Sequence, residues 1–355
     1  MSGQLVLETV EVHAEGEPSR VVTSAAELVQ GATMAERFAY CQERLDWLRH
    51  LLLREPRGHP ALCGVLLLPA VNPESHFGMI VLEHGGFTPM SGSNTICAVT
   101  AAIQTGLVPV PDGARTVEVV IDTAVGTVRT TARLDGTRVQ SVTVANVPSF
   151  VVALDHPLEV PEIGSIEVDV VFGGQFFVQT DVRNVGLDLD PGRAKDLARA
   201  GALIKLAARE QIRVSHPVNP GVGGVALVML HSGAPVPGQV SRNTVVMSNG
   251  PLLPNDPGTW TGALDRSPCG TGTCARMAAL HRRGDLALGE DFHHRSIVDT
   301  EFVGRLVGET RIGDHPAVLP TITGRGWVTG RAQWILDPSD PFPTGFTLAD
   351  IWAPQ

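Results

Sequence analysis

Two short strings in this chain combine a reactive side chain with the small residues that let a backbone wrap an anion. Ser91-Gly-Ser-Asn-Thr95 and Cys269-Gly-Thr-Gly-Thr273 lie half a chain length apart in a protein of 355 residues. In that register Gly92 falls opposite Gly270, Ser93 opposite Thr271, Thr95 opposite Thr273, Ala101 opposite Ala279 and Gly106 opposite Gly284. Farther on, Ile121-Asp-Thr-Ala-Val-Gly126 resembles Val298-Asp-Thr-Glu-Phe-Val-Gly304. Such self-similarity predicts a two-fold repeated architecture with two equivalent reactive positions, Ser91 and Cys269.

The chemistry follows from where the second string stands, just ahead of a helix predicted over Thr273 to Arg283. N–H groups near Gly270, Thr271 and Gly272 are free to bind a small carboxylate. A cysteine at the same helix N-terminus has its thiolate favoured by the helix dipole, which makes Cys269 a general base usable near neutral pH. Cys97 and Cys274 fall inside helices, and Cys41 and Cys63 on apolar stretches, so all four read as buried hydrophobes. Two acid/base groups on either side of a carboxylate-bearing carbon can move an α-proton without a cofactor, one removing it and the other delivering to the opposite face. The string Gly270-Thr-Gly-Thr-Cys-Ala275 also matches a dinucleotide pattern, but it comes late, opens no βαβ unit and lacks the distal acidic residue, so a nicotinamide site is not expected.

Composition narrows the classes. A hydrophobic fraction of 43% with 18% charged residues describes an ordinary globular chain long enough for two domains. The formal net charge of -10, with no Lys/Arg run, argues against nucleic acid. No stretch has the apolar length of a membrane helix, the first residues lack a signal-peptide pattern, and five cysteines without a CxxC fit a reducing cytoplasm and no structural zinc. Only Lys195 and Lys205 occur, both on a predicted helix over 191–210 and read as a solvated face, so Schiff-base chemistry is not expected.

The elements that must position these strings are mostly strands. Residues 4–13 alternate as a first strand, Met34 to Arg54 carries one long helical stripe, and Leu62 to Leu68 and Gly78 to Leu82 lead into a buried helix over Thr95 to Gly106. Antiparallel strands follow over 116–147. The second half repeats the rhythm: a strand pair around Gly173-Gly174, the helix over 191–210, strands at 224–230 and 243–247, the motif helix, and strands to Trp334. Each half is expected to be a multistranded sheet packed on its motif helix, an α+β arrangement. The expected halves are 1–155 and 156–334, with the closing segment 335–355 a candidate to return to the first.

Several strings together resemble the proline racemase superfamily, with its 4-hydroxyproline 2-epimerases and trans-3-hydroxyproline dehydratases. They are Glu15-Gly-Glu-Pro-Ser-Arg20, Glu55-Pro-Arg-Gly-His59, Met90-Ser-Gly-Ser-Asn-Thr95, Phe172-Gly-Gly174, Asp265-Arg-Ser-Pro-Cys-Gly-Thr-Gly-Thr273 and Asp340-Pro-Phe342. The resemblance spans nearly the whole chain and implies a diaminopimelate-epimerase-like fold of two pseudo-symmetric halves, each a curved, mostly antiparallel sheet around a central helix, with the active site in the cleft between them. It further implies Cys269 as one catalytic residue, Asp265 as the holder of the substrate amine, and Gly92, Ser93, Gly270 and Thr271 as the carboxylate cradle. Ser91 takes the place of the other catalytic thiol. Family racemases and epimerases usually carry cysteine at 91 and histidine at 93, so this motif departs twice; Ser241, at a polar substrate contact often filled by histidine, is a third departure.

A hydroxyl is a weaker base than a thiol, and the sequence identifies no partner that would activate Ser91. The leading expectation is therefore cofactor-independent dehydration of trans-3-hydroxy-L-proline to Δ1-pyrroline-2-carboxylate, with Cys269 and Ser91 as the acid/base pair. The alternative is epimerisation of 4-hydroxyproline at C2, or both activities together; a remote one is an imino-acid-binding protein without catalysis. The expected partner is an imino acid such as hydroxyproline, with no nucleic acid or membrane, and a homodimer stays an open assembly state. His13, Glu17, Arg20 and His59 are read as bracing or substrate-contacting, and His293-His294 as exposed rather than as a metal site.

Overall fold

The computed structural model of the protein describes residues 5–232, 240–248 and 250–352. Two compact units divide the chain, one reaching to Val144 and adding Gly324–Trp352, the other covering Ala145–Thr323. The first boundary lies earlier than the expected 155/156 because residues 149–160 form a strand of the second unit, and the second lies earlier than 334/335 because residues 326–336 pair in the first.

In the first unit the chain runs β1 (Leu5–Ala14), β2 (Glu17–Val22), α1 (Met34–Arg44), α2 (Asp46–Leu53), β3 (Cys63–Leu68), β4 (Phe77–Glu83), β5 (Gly86–Thr88), α3 (Gly92–Gln104), β6 (Thr116–Thr123), β7 (Gly126–Asp135) and β8 (Arg138–Ala145). Its closing strand, Gly326–Leu336, pairs antiparallel with β1. From there the order is β1, β2, β3, β4, β6, β7, β8, with β2–β3 and β4–β6 parallel and β5 on the flank of β4. β7 shows strict alternation, with Val128, Thr130, Ala132 and Leu134 buried and their neighbours exposed. β3 and nearly all of β4 are instead buried residue after residue, as expected of strands next to parallel crossovers that are covered on both faces.

The second unit contains β9 (Ser149–Val160), β10 (Gly164–Phe172), β11 (Phe176–Asp181), α4 (Ala194–Gln211), the ribbon β12 (Ser215–His216) and β13 (Asn219–Gly223), β14 (Leu227–Ser232), β15 (Ser241–Met247), β16 (Ala263–Leu264), α5 (Gly270–Arg283), β17 (Asp291–Arg295), β18 (Glu301–Ile312) and β19 (His315–Gly324). In chain order the strand Gly326–Leu336 is then β20. The pairing runs β9, β10, β11, β14, β15, β17, β18, β19 and returns to β9, so this sheet closes on itself. Again two pairings are parallel, β11–β14 and β15–β17, and the short β16 flanks β15 as β5 flanks β4. The repeat seen in the motifs thus extends through the topology. The last strand of each repeat, β9 or β20, pairs with the first strand of the other, β10 or β1.

At the centre of each unit lies its motif helix, with every residue buried from Gly92 to Ile103 in α3 and from Gly270 to Leu280 in α5. The outer helices carry the larger cores, Leu48 and Leu52 with Leu66, Ile80 and Leu82 in one unit, and Leu197 and Ile204 with Val168, Val228 and Val246 in the other. The stripe expected as one helix from Met34 to Arg54 breaks at Leu45, whose backbone leaves the helical region; re-aiming the chain there buries Leu48, Leu51, Leu52 and Leu53 together. α4 differs from expectation at Lys205, which is buried with Nζ 3.0 Å from Ser248 Oγ rather than solvated. Among the described residues no helix is long and apolar enough to cross a membrane.

The Gly173-Gly174 turn shows why that pair is glycine. A Cβ on Gly173 would lie 2.3 Å from the Thr271 carbonyl oxygen and 2.7 Å from the Ala275 nitrogen, and Gly174 has φ 117. Both obstacles to Gly173 are backbone, so Gly173→Ala should lower unfolding stability by about 1–3 kcal/mol. Chemical denaturation measures this, and an unchanged midpoint would contradict the packing described.

Candidate active site

Both motif helices begin three residues earlier than predicted. α3 starts at Gly92 and α5 at Gly270, so the glycine-rich strings form the first helical turns, and Ser91 and Cys269 are the N-caps. The first N–H groups of each helix have no carbonyl partner inside it. Small residues at Gly92, Ser93, Gly270 and Thr271 leave that backbone approachable, and the dipole favours an anion there. Gly106 (φ 80) and Gly284 (φ 85) follow the two helices in left-handed geometry that glycine adopts freely.

Cys269 sits in a built corner. It has φ 61, uncommon for a residue with a side chain, at a cost of about 1–3 kcal/mol that the surroundings must offset. Its N–H donates to Ser267 Oγ at 3.1 Å, and its carbonyl accepts from Thr273 N at 2.8 Å. Pro268 O accepts from Asn243 Nδ2 at 3.2 Å and Thr273 Oγ1 at 3.1 Å. His294, fully buried, rests its Nδ1 2.9 Å from Thr273 Oγ1, and burial drives its pKa well below the usual imidazole value. The expectation of an exposed His293-His294 pair therefore fails for His294, whose side chain points into the interior on β17.

The thiol corrects a second expectation. Gly272 N–H donates to Cys269 Sγ at 3.4 Å, and Thr271 Oγ1 lies 3.8 Å away. Glycine at 272 lets the sulfur approach, since a Cβ there would stand 3.1 Å from it. Yet the thiol pKa is raised well above its ordinary value, first by burial and then by the Asp265 carboxylate, to which it is hydrogen-bonded. These effects oppose the helix N-terminus and disfavour the thiolate. Asp265 is itself fixed by Ser267, whose N–H and hydroxyl both donate to Oδ1 at 2.8 Å.

The first motif is built differently. Ser91 has extended backbone, φ -151, and its hydroxyl accepts no backbone N–H of the helix it caps. Instead Asn94 Nδ2 donates to Ser91 Oγ at 3.0 Å, and Asn94 Oδ1 accepts from Ser19 Oγ at 2.6 Å. Ser93 is buried at the second position of α3. Ser241, on β15 in register with His294, has a buried hydroxyl without a partner among the described residues.

Other polar residues of the resembling strings brace the first unit. Arg20 donates to Glu11 and to the Leu52 and Arg57 carbonyls and lies over the Trp334 ring, while Arg57 pairs with Asp340. His13 stacks on Trp327, and Glu15 pairs with Arg325. Sequence reasoning missed Ser19, Asn94, Asn243 and Ser267. For Asn94 a signal existed, since the repeat sets it opposite Gly272 and marks it as a departure from glycine.

The proline racemase family model matches residues 9–347. The chain belongs to the proline racemase family. It is 41% identical over 349 residues to a 4-hydroxyproline 2-epimerase of Streptosporangium roseum, covering 98% of this chain and 100% of that protein. It is 36% identical to proline racemase A of Trypanosoma cruzi, covering 96% of this chain and 81% of that protein. A crystal structure of a hydroxyproline epimerase from Agrobacterium vitis with bound trans-4-hydroxy-L-proline superposes with a TM-score of 0.87 at 36% identity, covering 98% of this chain and 97% of the other. These relatives are named as epimerases and a racemase, in line with the epimerase alternative more than with the dehydratase reading.

Because a carboxylate beside it raises the Cys269 pKa, Asp265→Asn should lower that pKa and speed alkylation of Cys269 by iodoacetamide at neutral pH by at least about threefold. Peptide-resolved mass spectrometry follows the rate, and an equal or slower reaction would remove Asp265 as a cause of the shift.

Proposed function

We propose that this family member epimerises 4-hydroxyproline at C2 without a cofactor, with Cys269 and Ser91 as its acid/base pair. What carries the reading is Cys269 at the N-cap of α5, hydrogen-bonded to Asp265, in a chain 41% identical to a 4-hydroxyproline 2-epimerase. The fold that goes with it is the diaminopimelate-epimerase-like one.

The N–H groups of Gly92, Ser93, Gly270 and Thr271 receive the substrate carboxylate. As the C2–H bond breaks, charge develops on that carboxylate, and donors already aimed there stabilise it without reorganising. Asp265 receives the ring ammonium. Neutralising Asp265 removes one of the two influences that hold Cys269 protonated, so substrate binding itself favours thiolate formation. One group takes the proton from one face and the other delivers a proton to the opposite face, so the balance is an isomerisation with no electron transfer. Ser241, whose buried hydroxyl has no partner among the described residues, is proposed to contact the substrate.

Dehydration of trans-3-hydroxy-L-proline is the second reading, favoured by the oxygen at Ser91 where the other N-cap has sulfur. In that substrate the C2 proton and C3 hydroxyl share a ring face. Loss of both as water gives the enamine, which tautomerises to Δ1-pyrroline-2-carboxylate. The carbanion-forming step is common to both readings.

Incubation with trans-4-hydroxy-L-proline in heavy water should give the C2-inverted product with deuterium at C2, observable by proton NMR. Cys269→Ser should lower the rate by at least about a hundredfold. Formation of the cyclic imine from trans-3-hydroxy-L-proline, with no exchange in the 4-hydroxy isomer, would replace the first reading by the second. Full activity of Cys269→Ser would refute both.

A further inference from the structure

The two N-caps receive their hydrogen bonds from equivalent positions by different means. At the second motif the donor to the reactive atom is the backbone N–H of Gly272, the third residue of α5. At the first motif it is the side-chain amide of Asn94, the third residue of α3. Ordinary helix capping does not account for the second arrangement. A capping serine accepts a backbone N–H, and a third-residue side chain reaches back to the backbone N–H of the cap. Ser91 Oγ does not make the first bond, and Asn94 reaches the hydroxyl instead of the backbone.

The orientation of the amide is fixed from behind. Cys97, fully buried, is kept as S–H by burial and by Glu17, and its thiol is hydrogen-bonded to Ser19. The Ser19 hydroxyl donates its single proton to Asn94 Oδ1 at 2.6 Å. Oδ1 being an acceptor only, Nδ2 must face Ser91, and its N–H takes up a lone pair of Ser91 Oγ. The Ser91 proton is then directed away from Asn94.

We propose that Asn94, oriented by Ser19, is the positioning residue for Ser91: its side-chain N–H replaces the backbone donor used at Cys269 and stabilises the charge left on Ser91 Oγ when that hydroxyl gives up its proton. The proposal rests on the reading of Ser91 as an acid/base group. In the step concerned the O–H bond of Ser91 breaks and a C2–H bond forms. The alkoxide keeps the electron pair under the Asn94 N–H until a proton returns from the C2 of the next substrate or from water. A hydrogen bond to a charged oxygen is stronger than one to a neutral hydroxyl, so the contribution grows along that step.

A thiol placed at the same point reports the donor without any turnover. In Ser91→Cys on a Cys269→Ser background, the pH dependence of alkylation at position 91 gives the thiol pKa. Adding Asn94→Ala should raise it by about one unit, slowing alkylation at neutral pH about tenfold. Ser19→Ala, which frees the amide to rotate, should raise it in the same direction. An unchanged thiol pKa in the Asn94→Ala pair overturns the proposal. In the otherwise natural chain, Asn94→Ala should lower kcat at least about tenfold with KM within about twofold. Asn94→Asp should regain activity relative to the natural chain as pH falls and the new carboxyl gains the proton that restores a donor. A pH-independent ratio would make the residue merely structural. If the natural chain turns over no hydroxyproline, the proposed function fails while the thiol titration still decides the role of Asn94.

Discussion

An α-helix cannot satisfy the N–H groups of its own first turn, and the architecture of this protein is organised around two such turns. Both turns open with small residues, Gly92 and Ser93 in α3 and Gly270 and Thr271 in α5, and both helices are held in place. Burial of α3 and α5 along almost their whole length by surrounding strands supplies that rigidity. The close seat of Gly173 against the first turn of α5 serves the same need, because backbone on backbone leaves little room for adjustment.

Within that shared frame the two reactive positions are chemically unequal. Cys269 is strained, buried and beside a carboxylate, conditions that oppose its ionisation. Ser91 has relaxed extended backbone and a neutral amide partner. In the proposed acid/base pair, sulfur needs little help to become a base and is restrained, whereas oxygen needs much help and accepts the Asn94 amide N–H. The asymmetry of environment therefore compensates the asymmetry of the atoms.

Much of this was legible in the chain. The half-length repeat gave the two N-caps, and the alternation of residues such as Val128, Thr130, Ala132 and Leu134 gave the strands. Glycine at 106 and 284 marked the helix ends. What escaped was of two kinds. Helix starts lay three residues off because glycine-rich turns carry no periodic apolar signal. The opposing influences on the Cys269 thiol escaped because the helix terminus is visible in sequence, whereas burial and the approach of Asp265 depend on folding. Lys205 and His294 misled similarly, since polar residues give no sign of being enclosed until their neighbours are known. The hydroxyl–amide chain from Ser19 to Ser91 joins residues distant in sequence and could not be read from spacing.

The exchange of closing strands has a consequence for how the chain is made. β1 pairs along its length with β20, Leu5 lying opposite Leu336. During synthesis the first strand therefore waits for residues 326–336 before its outer edge is covered. An open edge exposed for so long is a template for unwanted pairing, and contacts this distant in sequence close slowly. The sheet that encloses α3 can be finished only once β20 has been made, so completion of the first half comes late even though its helices and inner strands lie far upstream of β20.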